Sequence, residues 1–202
     1  VRTTYDVYGH EAEIVNVDLN GNVVQPAGGP AILRRKHDPY GRILEESTVG
    51  ASGTLALDDG YATTKSRYDN RGNRIETSLF DASGKPASAS NLCPINRSRF
   101  DDRGNVVELA CFDGEGRPRI GKEGYAVAKQ TYDGAGRMTE LRYFGLDGKP
   151  VLVDGRAEVR FQYEPRGGQT EQAYFGVDGK AVVVDGHAIL RNRYNERGHQ
   201  VE

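Results

Sequence analysis

The sequence predicts an all-β chain built from tandem 31–32-residue β-hairpin repeats that form an elongated antiparallel ribbon or β-solenoid. Three observations carry this. First, a phrase of an aromatic residue or His, an acidic residue or Asn, two variable residues and Gly occurs seven times. The copies are Tyr5–Gly9, His37–Gly41, Tyr68–Gly72, Phe100–Gly104, Tyr132–Gly136, Tyr163–Gly167 and Tyr194–Gly198. Second, three glycine positions per repeat follow at nearly constant intervals, as at Gly136, Gly148 and Gly155, with Leu92 filling the third slot in one repeat. Third, residues alternate between turns. Ala157, Val159, Phe161 and Tyr163 fall on one face and Glu158, Arg160 and Gln162 on the other, the period of a half-buried strand.

Within one repeat the elements follow in order. A strand leads to the first turn, where Asp accepts a backbone hydrogen bond and Gly takes the positive φ that ends it, as in Asp69-Asn70-Arg71-Gly72. A second strand follows, in which Ile75, Thr77 and Leu79 share the apolar face. A second turn such as Asp81-Ala82-Ser83-Gly84 leads into a short third strand, as at Lys149–Val153 and Lys180–Val184. One repeat cannot bury its apolar face alone, so neighbours must complete it. The array of about six repeats is expected to run through residues 1–202 as one domain.

Charge suggests the hairpin register. A basic residue stands seven before each first glycine (Arg34, Lys65, Arg97, Lys129, Arg160, Arg191), and Glu stands four after it (Glu45, Glu76, Glu108, Glu140, Glu171, Glu202). A four-residue Asp-x-x-Gly loop sets Lys65 across from Glu76 in the same hairpin and keeps the apolar faces together. A three-residue loop would shift the pairing by one and set Glu beside the buried face, so the four-residue loop is expected.

Composition narrows function. Hydrophobic residues make up 37% and there are 26 Gly, which fits many turns and thin cores shared between neighbours. The 27 basic and 29 acidic residues are interspersed, giving net charge −2 and no positive field for nucleic acid or an anionic membrane. No run approaches the roughly 18 apolar residues of a spanning helix, so membrane insertion is not expected. The ends lack polar capping repeats, and the expectation is a piece of a longer protein.

The phrases Tyr68-Asp69-Asn70-Arg71-Gly72-Asn73-Arg74-Ile75-Glu76 and Tyr132-Asp133-Gly134-Ala135-Gly136-Arg137-Met138-Thr139-Glu140 resemble the Tyr-Asp (YD) repeats of RHS proteins, and the resemblance extends to all seven phrases. It implies a large bacterial surface or secreted polypeptide whose hairpins form extended sheets or a shell around a toxin segment, in a secreted or envelope setting, with carbohydrate binding suggested for the family. The RHS repeat is nearer twenty residues, whereas this one adds a second Gly-Lys-Pro hairpin signal at Gly84-Lys85-Pro86 and Gly148-Lys149-Pro150. A resemblance to MORN-like hairpin repeats rests on fewer positions.

No catalytic residue, cofactor or metal site is expected. No Gly-x-Ser-x-Gly, Walker-type or His-Glu-x-x-His phrase occurs. Acidic turns such as Asp18–Gly21 lack the spaced ligands and closing Glu of a calcium loop. His10, His37, His187 and His199 occupy unrelated slots, and the repeat gives no reason for them to converge. Counting outward along the hairpin sets Cys93 and Cys111 on opposite faces, so a packed free thiol at Cys111 is expected rather than a disulfide. The binding candidates are Tyr143, Phe144, Tyr174 and Phe175, whose rows stack on sugars, anchor a protein or seal the joint between repeats. The expected function is a non-enzymatic structural and interaction module whose partner is another protein or a flanking domain of the same polypeptide. Carbohydrate or cell-wall binding is the alternative.

Overall fold

The computed structural model describes residues 1–27, 29–57, 59–87, 93–195 and 197–201. Leu92 and Glu202 lie outside the described residues. The chain forms two compact units. One comprises Val1–Asn96 with the turn Asp113–Arg117, the other Arg97–Phe112 with Pro118–Glu202.

Among the described residues every regular element is a strand. The first six are β1 (Arg2–Tyr5), β2 (Glu11–Val15), β3 (Ile32–His37), β4 (Ile43–Val49), β5 (Thr63–Tyr68) and β6 (Arg74–Phe80). Then come β7 (Ile95–Phe100), β8 (Val106–Phe112), β9 (Val127–Tyr132), β10 (Met138–Phe144), β11 (Glu158–Tyr163), β12 (Gln169–Phe175) and β13 (Ile189–Arg191). Within each unit, strands neighbour one another in chain order and pair antiparallel, the open hairpin ribbon that the repeat predicts.

The first turn differs from the predicted one. Asp69 N–H donates to Asn73 O (2.9 Å) and Gly72 N–H to Asp69 O (3.2 Å), so Asp69 belongs to the ladder and the loop is only Asn70–Gly72. Gly72, at φ 89°, takes the left-handed position that ends such a loop. This moves the register by one. A bulge then follows at once, for Tyr68 pairs with Arg74 but Arg67 with Glu76, leaving Ile75 without a cross-strand partner. The second shift restores the faces. The same bulge recurs between β1 and β2, β3 and β4, β9 and β10, and β11 and β12.

The charge ladder is therefore laid out differently. Lys65 faces Ser78 within its own hairpin, two residues from the predicted partner. Its Glu lies in the preceding repeat. Cα partners are Glu13 with Arg34, Glu45 with Lys65, Glu108 with Lys129, Glu140 with Arg160 and Glu171 with Arg191. A side-chain period of two means that a two-residue slip preserves every face while changing every partner. The sequence pattern is satisfied by both arrangements.

The short third strand is also corrected. After β10 the chain pairs back on that strand through a single bridge, Phe144 to Pro150, and after β12 through Phe175 to Ala181. Pro86, Pro118 and Pro150 stand at this position and have no N–H to offer a longer ladder. Val151 N–H instead returns to Tyr143 O (3.1 Å), and a two-residue turn at Asp154-Gly155 closes Val153 onto Arg156. Asp154 and Gly155 both have positive φ, 47° and 80°, the backbone of a type I′ hairpin.

The cores are thin and span repeats. Val15, Ala31, Ile32 and Val49 form one, with Val17 and Val23 packed against it. Ala128, Tyr143 and Val153 form the other, flanked by Leu109, Tyr125, Leu141 and Val151. Both draw on at least two successive repeats, so no repeat buries its apolar face by itself.

Cys93 and Cys111, the chain's two cysteines, are disulfide-bonded, contrary to the expected free thiol. Cys93 precedes β7 and is not in a ladder, so strand alternation does not fix the face of its side chain. One repeat later the equivalent slots hold Tyr125 and Tyr143, whose ring centroids lie 5.2 Å apart.

Candidate functional site

The residues that recur in every phrase gather at the turn edge of the strands. Asp133 fixes its own turn, accepting from the N–H groups of Ala135 (2.9 Å) and Arg137 (3.0 Å) through Oδ1, while Arg137 Nε donates to Oδ2 (2.7 Å). Asp69 and Asp101 do the same, with the side-chain amides of Asn73 and Asn105 in place of the guanidinium. These bonds favour the ionised form. The Arg137 side chain holds the Asp133 carboxyl below its usual range, and the Asn73 and Asn105 amides lower Asp69 and Asp101.

From this turn the Arg side chain reaches the next repeat. Arg137 donates to Glu164 O (2.9 Å), and its guanidinium sits over the Tyr163 ring at 4.8 Å. Arg42 repeats both contacts, to Asp69 O at 3.3 Å and over Tyr68 at 5.0 Å. The phrase aromatic points back. Tyr68 O–H donates to Ile43 O (3.0 Å), Tyr163 O–H to Met138 O (2.8 Å) and Tyr194 O–H to Gln169 O (3.0 Å). Tyr132 O–H lies 2.9 Å from Val106 O. Burial pushes the Tyr132 and Tyr163 phenols up, as expected for hydroxyls used as neutral donors. Where the aromatic slot holds Tyr, its hydroxyl thus ties the repeat to its predecessor, and Arg42 and Arg137 tie theirs to the successor.

On one face, ion pairs add to these ties. Arg34 Nε is 2.8 Å from Glu13, Arg191 Nε 2.9 Å from Glu171, Lys65 Nζ 3.7 Å from Glu45 and Lys129 Nζ 4.0 Å from Glu108, all across repeat boundaries. Arg160 instead engages Glu158, whose other oxygen takes Arg142 Nε at 3.0 Å. In the first unit these residues border a groove of about 560 Å³ lined by Glu13, Arg34, Lys36, Glu45, Lys65 and Phe80. Lys36 is hydrogen-bonded to Glu45 and lowers its carboxyl, with Lys65 adding to the effect. A general acid near neutral pH needs the opposite shift.

The sequence-derived candidates separate. Tyr143 and Phe144 are adjacent in β10, and Tyr174 and Phe175 in β12, so each pair splits between opposite faces of its strand. Tyr143 is 8% exposed and belongs to the core. Tyr174 is half-buried, with its hydroxyl 2.8 Å from Gln172 Nε2 and the Arg156 guanidinium 5.6 Å from its ring. Phe144 lies under Lys129 at 5.2 Å and Phe175 under Arg160 at 4.2 Å, and Phe80 and Phe112 lie under Lys65 and Arg97. The basic row that the sequence assigns to Glu alone therefore also covers the Phe row.

Sequence reasoning missed the meeting of His10 with His37, whose ring centroids stand 5.1 Å apart beside Asp6. The signal lay in the repeat itself. His10 follows the first glycine, the slot of Arg42 and Arg137, and His37 holds the aromatic slot of the next repeat. Those are the two slots that Arg42–Tyr68 and Arg137–Tyr163 bring into contact.

Comparison with known proteins places the fold. No protein-family profile matches the chain, and no curated protein matches it. Among solved structures, a chain of the TcdB2-TccC3-Cdc42 crystal structure aligns with a TM-score of 0.54 at 16% identity, over 98% of this chain and 9% of that one. The chain shares its fold with a segment of that much longer polypeptide. A mutated Tc holotoxin pore of Photorhabdus luminescens and the TcdB2-TccC3-TEV structure align with TM-scores of 0.45 and 0.46, each at 16% identity over 98% of this chain, covering 10% and 11% of theirs. This chain spans about a tenth of the chains it matches.

Proposed function

We propose that this chain is a non-enzymatic, RHS-like structural module of a larger bacterial surface or secreted protein, whose hairpin array holds or spaces other parts of the same polypeptide. The observation that carries the reading is the tie between repeats. The Tyr hydroxyl, the turn Arg and the Glu–basic pairs, residues that recur along the sequence, spend their contacts on neighbouring repeats. The fold shared with a segment of a far longer chain supports a modular role. The disulfide supports an oxidising, extracytoplasmic setting.

Excising residues 133–163, one repeat in register, tests this. A module of interchangeable repeats keeps its all-β circular dichroism and cooperative unfolding, with a lowered midpoint. Collapse of the shortened chain would count against it. Glycan-array screening is the second arm, in which the structural reading expects no signal from the intact chain. Sugar binding that is lost in Tyr174→Ala or Phe175→Ala would replace it with the carbohydrate reading.

A further inference from the structure

At the turn edge of the first unit two side chains beside a turn Asp depart together from the repeat pattern. Where the repeats of Asp38, Asp69, Asp101 and Asp133 set an Arg or Asn beside the turn Asp and a Tyr or Phe in the next aromatic slot, this one has His10 and His37 around Asp6. Asp6 Oδ1 is occupied, accepting from Tyr8 N–H (2.9 Å) and His10 N–H (3.0 Å). Its other oxygen, Oδ2, faces both imidazoles, 3.4 Å from His10 Nδ1 and 3.5 Å from His37 Nδ1. The three potential ligand atoms all lie within 4.8 Å of one another.

His37 supplies the independent observation. Its side chain is 6% exposed, and Nδ1 is buried without a hydrogen-bond partner. An orphaned imidazole nitrogen costs free energy unless something else satisfies it. The shorter His ring does not reproduce the carbonyl contact made by the Tyr hydroxyls in later repeats. Its free nitrogen points at the carboxylate instead.

We propose that Asp6, His10 and His37 form a binding site for a divalent first-row transition ion, with zinc as the representative. Ligands about 2.0–2.1 Å from a tetrahedral zinc lie about 3.3 Å from each other. The two His–Asp separations, 3.4 and 3.5 Å, match that edge. A rotation of the His10 ring, 30% exposed, closes the remaining one. Two imidazoles and one carboxylate suit zinc, copper or nickel, whereas calcium and magnesium require an oxygen cage. The Oδ1 bonds orient the carboxylate, a supporting role usual for metal ligands. Gly41 makes room, since a Cβ there would meet His10 Nε2 at 2.8 Å. The fourth position is left for water or a partner's side chain.

The variants that test this restore the repeat, which keeps them folded. His10→Asn installs the residue of the Asn73 and Asn105 slots, and His37→Tyr that of Tyr68. Calorimetric titration of the intact chain with zinc chloride is expected to show one ion per chain. Each single variant weakens binding by at least about tenfold, the loss usual even for residues that only support a ligand. The double variant abolishes it. His187→Ala with His199→Ala leaves it unchanged. Failure of the unmodified chain to take up zinc, or uptake that persists in the double variant with its circular dichroism intact, would overturn the assignment.

Discussion

Replacing Tyr163 by Phe deletes one oxygen from the chain and, with it, the 2.8 Å hydrogen bond to Met138 O in the preceding repeat. The ring remains, and so does its contact with the Arg137 guanidinium. Tyr163 is half-buried, so Met138 O regains water only in part. The expected loss is about 1 kcal/mol, within the range of about 0.5–1.5 for a single neutral hydrogen bond. For a chain of this length that lowers the melting midpoint by about 2–4 °C. Tyr68→Phe and Tyr194→Phe remove the equivalent bonds, both 3.0 Å, and belong to different repeats. Separated sites add, so the triple variant is expected to lose about 3 kcal/mol. Against a total stability of about 5–15 kcal/mol that is a large fraction. Tyr5→Phe is the control, because Tyr5 is 61% exposed. Thermal unfolding followed by circular dichroism reads the five variants beside the unmodified chain. A triple variant that melts with the unmodified chain would show that the hydroxyls do not tie the repeats, and the reasoning would fail.

Three further outcomes are expected. Gly155→Ala places a side chain at φ 80°, where the nearest atom, Val184 Cγ2, is an ordinary 3.9 Å away, so the cost is backbone strain alone, about 1–2 kcal/mol, seen as a shifted denaturant midpoint. Reduction of the disulfide releases the loop of 17 residues between Cys93 and Cys111 and destabilises by about 3 kcal/mol in the chain-entropy picture, which dithiothreitol during a melt will test against a Cys93→Ser, Cys111→Ser control that no longer responds. Acid should weaken the fold through its turns. The Asp69, Asp101 and Asp133 carboxyls lie below their ordinary value when folded, so their contribution is complete above about pH 4 and is lost as pH falls through the folded values; Asp69→Asn and Asp133→Asn flatten that part of a stability–pH profile.

The sequence made the class of fold and the position of the turns legible, because Asp and Gly declare a turn through local backbone chemistry. Register was not legible, and the reason is specific. The Asn70–Gly72 loop and the bulge at Ile75 each shift the pairing by one, so together they leave the faces where a four-residue loop would put them. Alternation therefore could not distinguish the two arrangements. Charge could not either, because each Glu has a strand on both sides. Glu45 meets Lys36 in its own hairpin and Lys65 in the next. For the site, the roles of Phe144 and Phe175 depended on which residue covers them, a contact between strands that no single-strand pattern shows. Cys93 and His37 share a cause. Each slot by itself carries no sign of its partner, whereas the same two slots are in contact at Tyr125–Tyr143 and at Arg42–Tyr68.

The most direct test of the account is the strand register in solution, read from cross-strand nuclear Overhauser effects in the second unit. Contacts from Glu140 to Arg160 and from Arg142 to Lys129 are expected, because those are Cα partners. Contacts from Glu140 to Lys129 without those to Arg160 would put each Glu and its cation in one hairpin, and the tie between repeats would be contradicted.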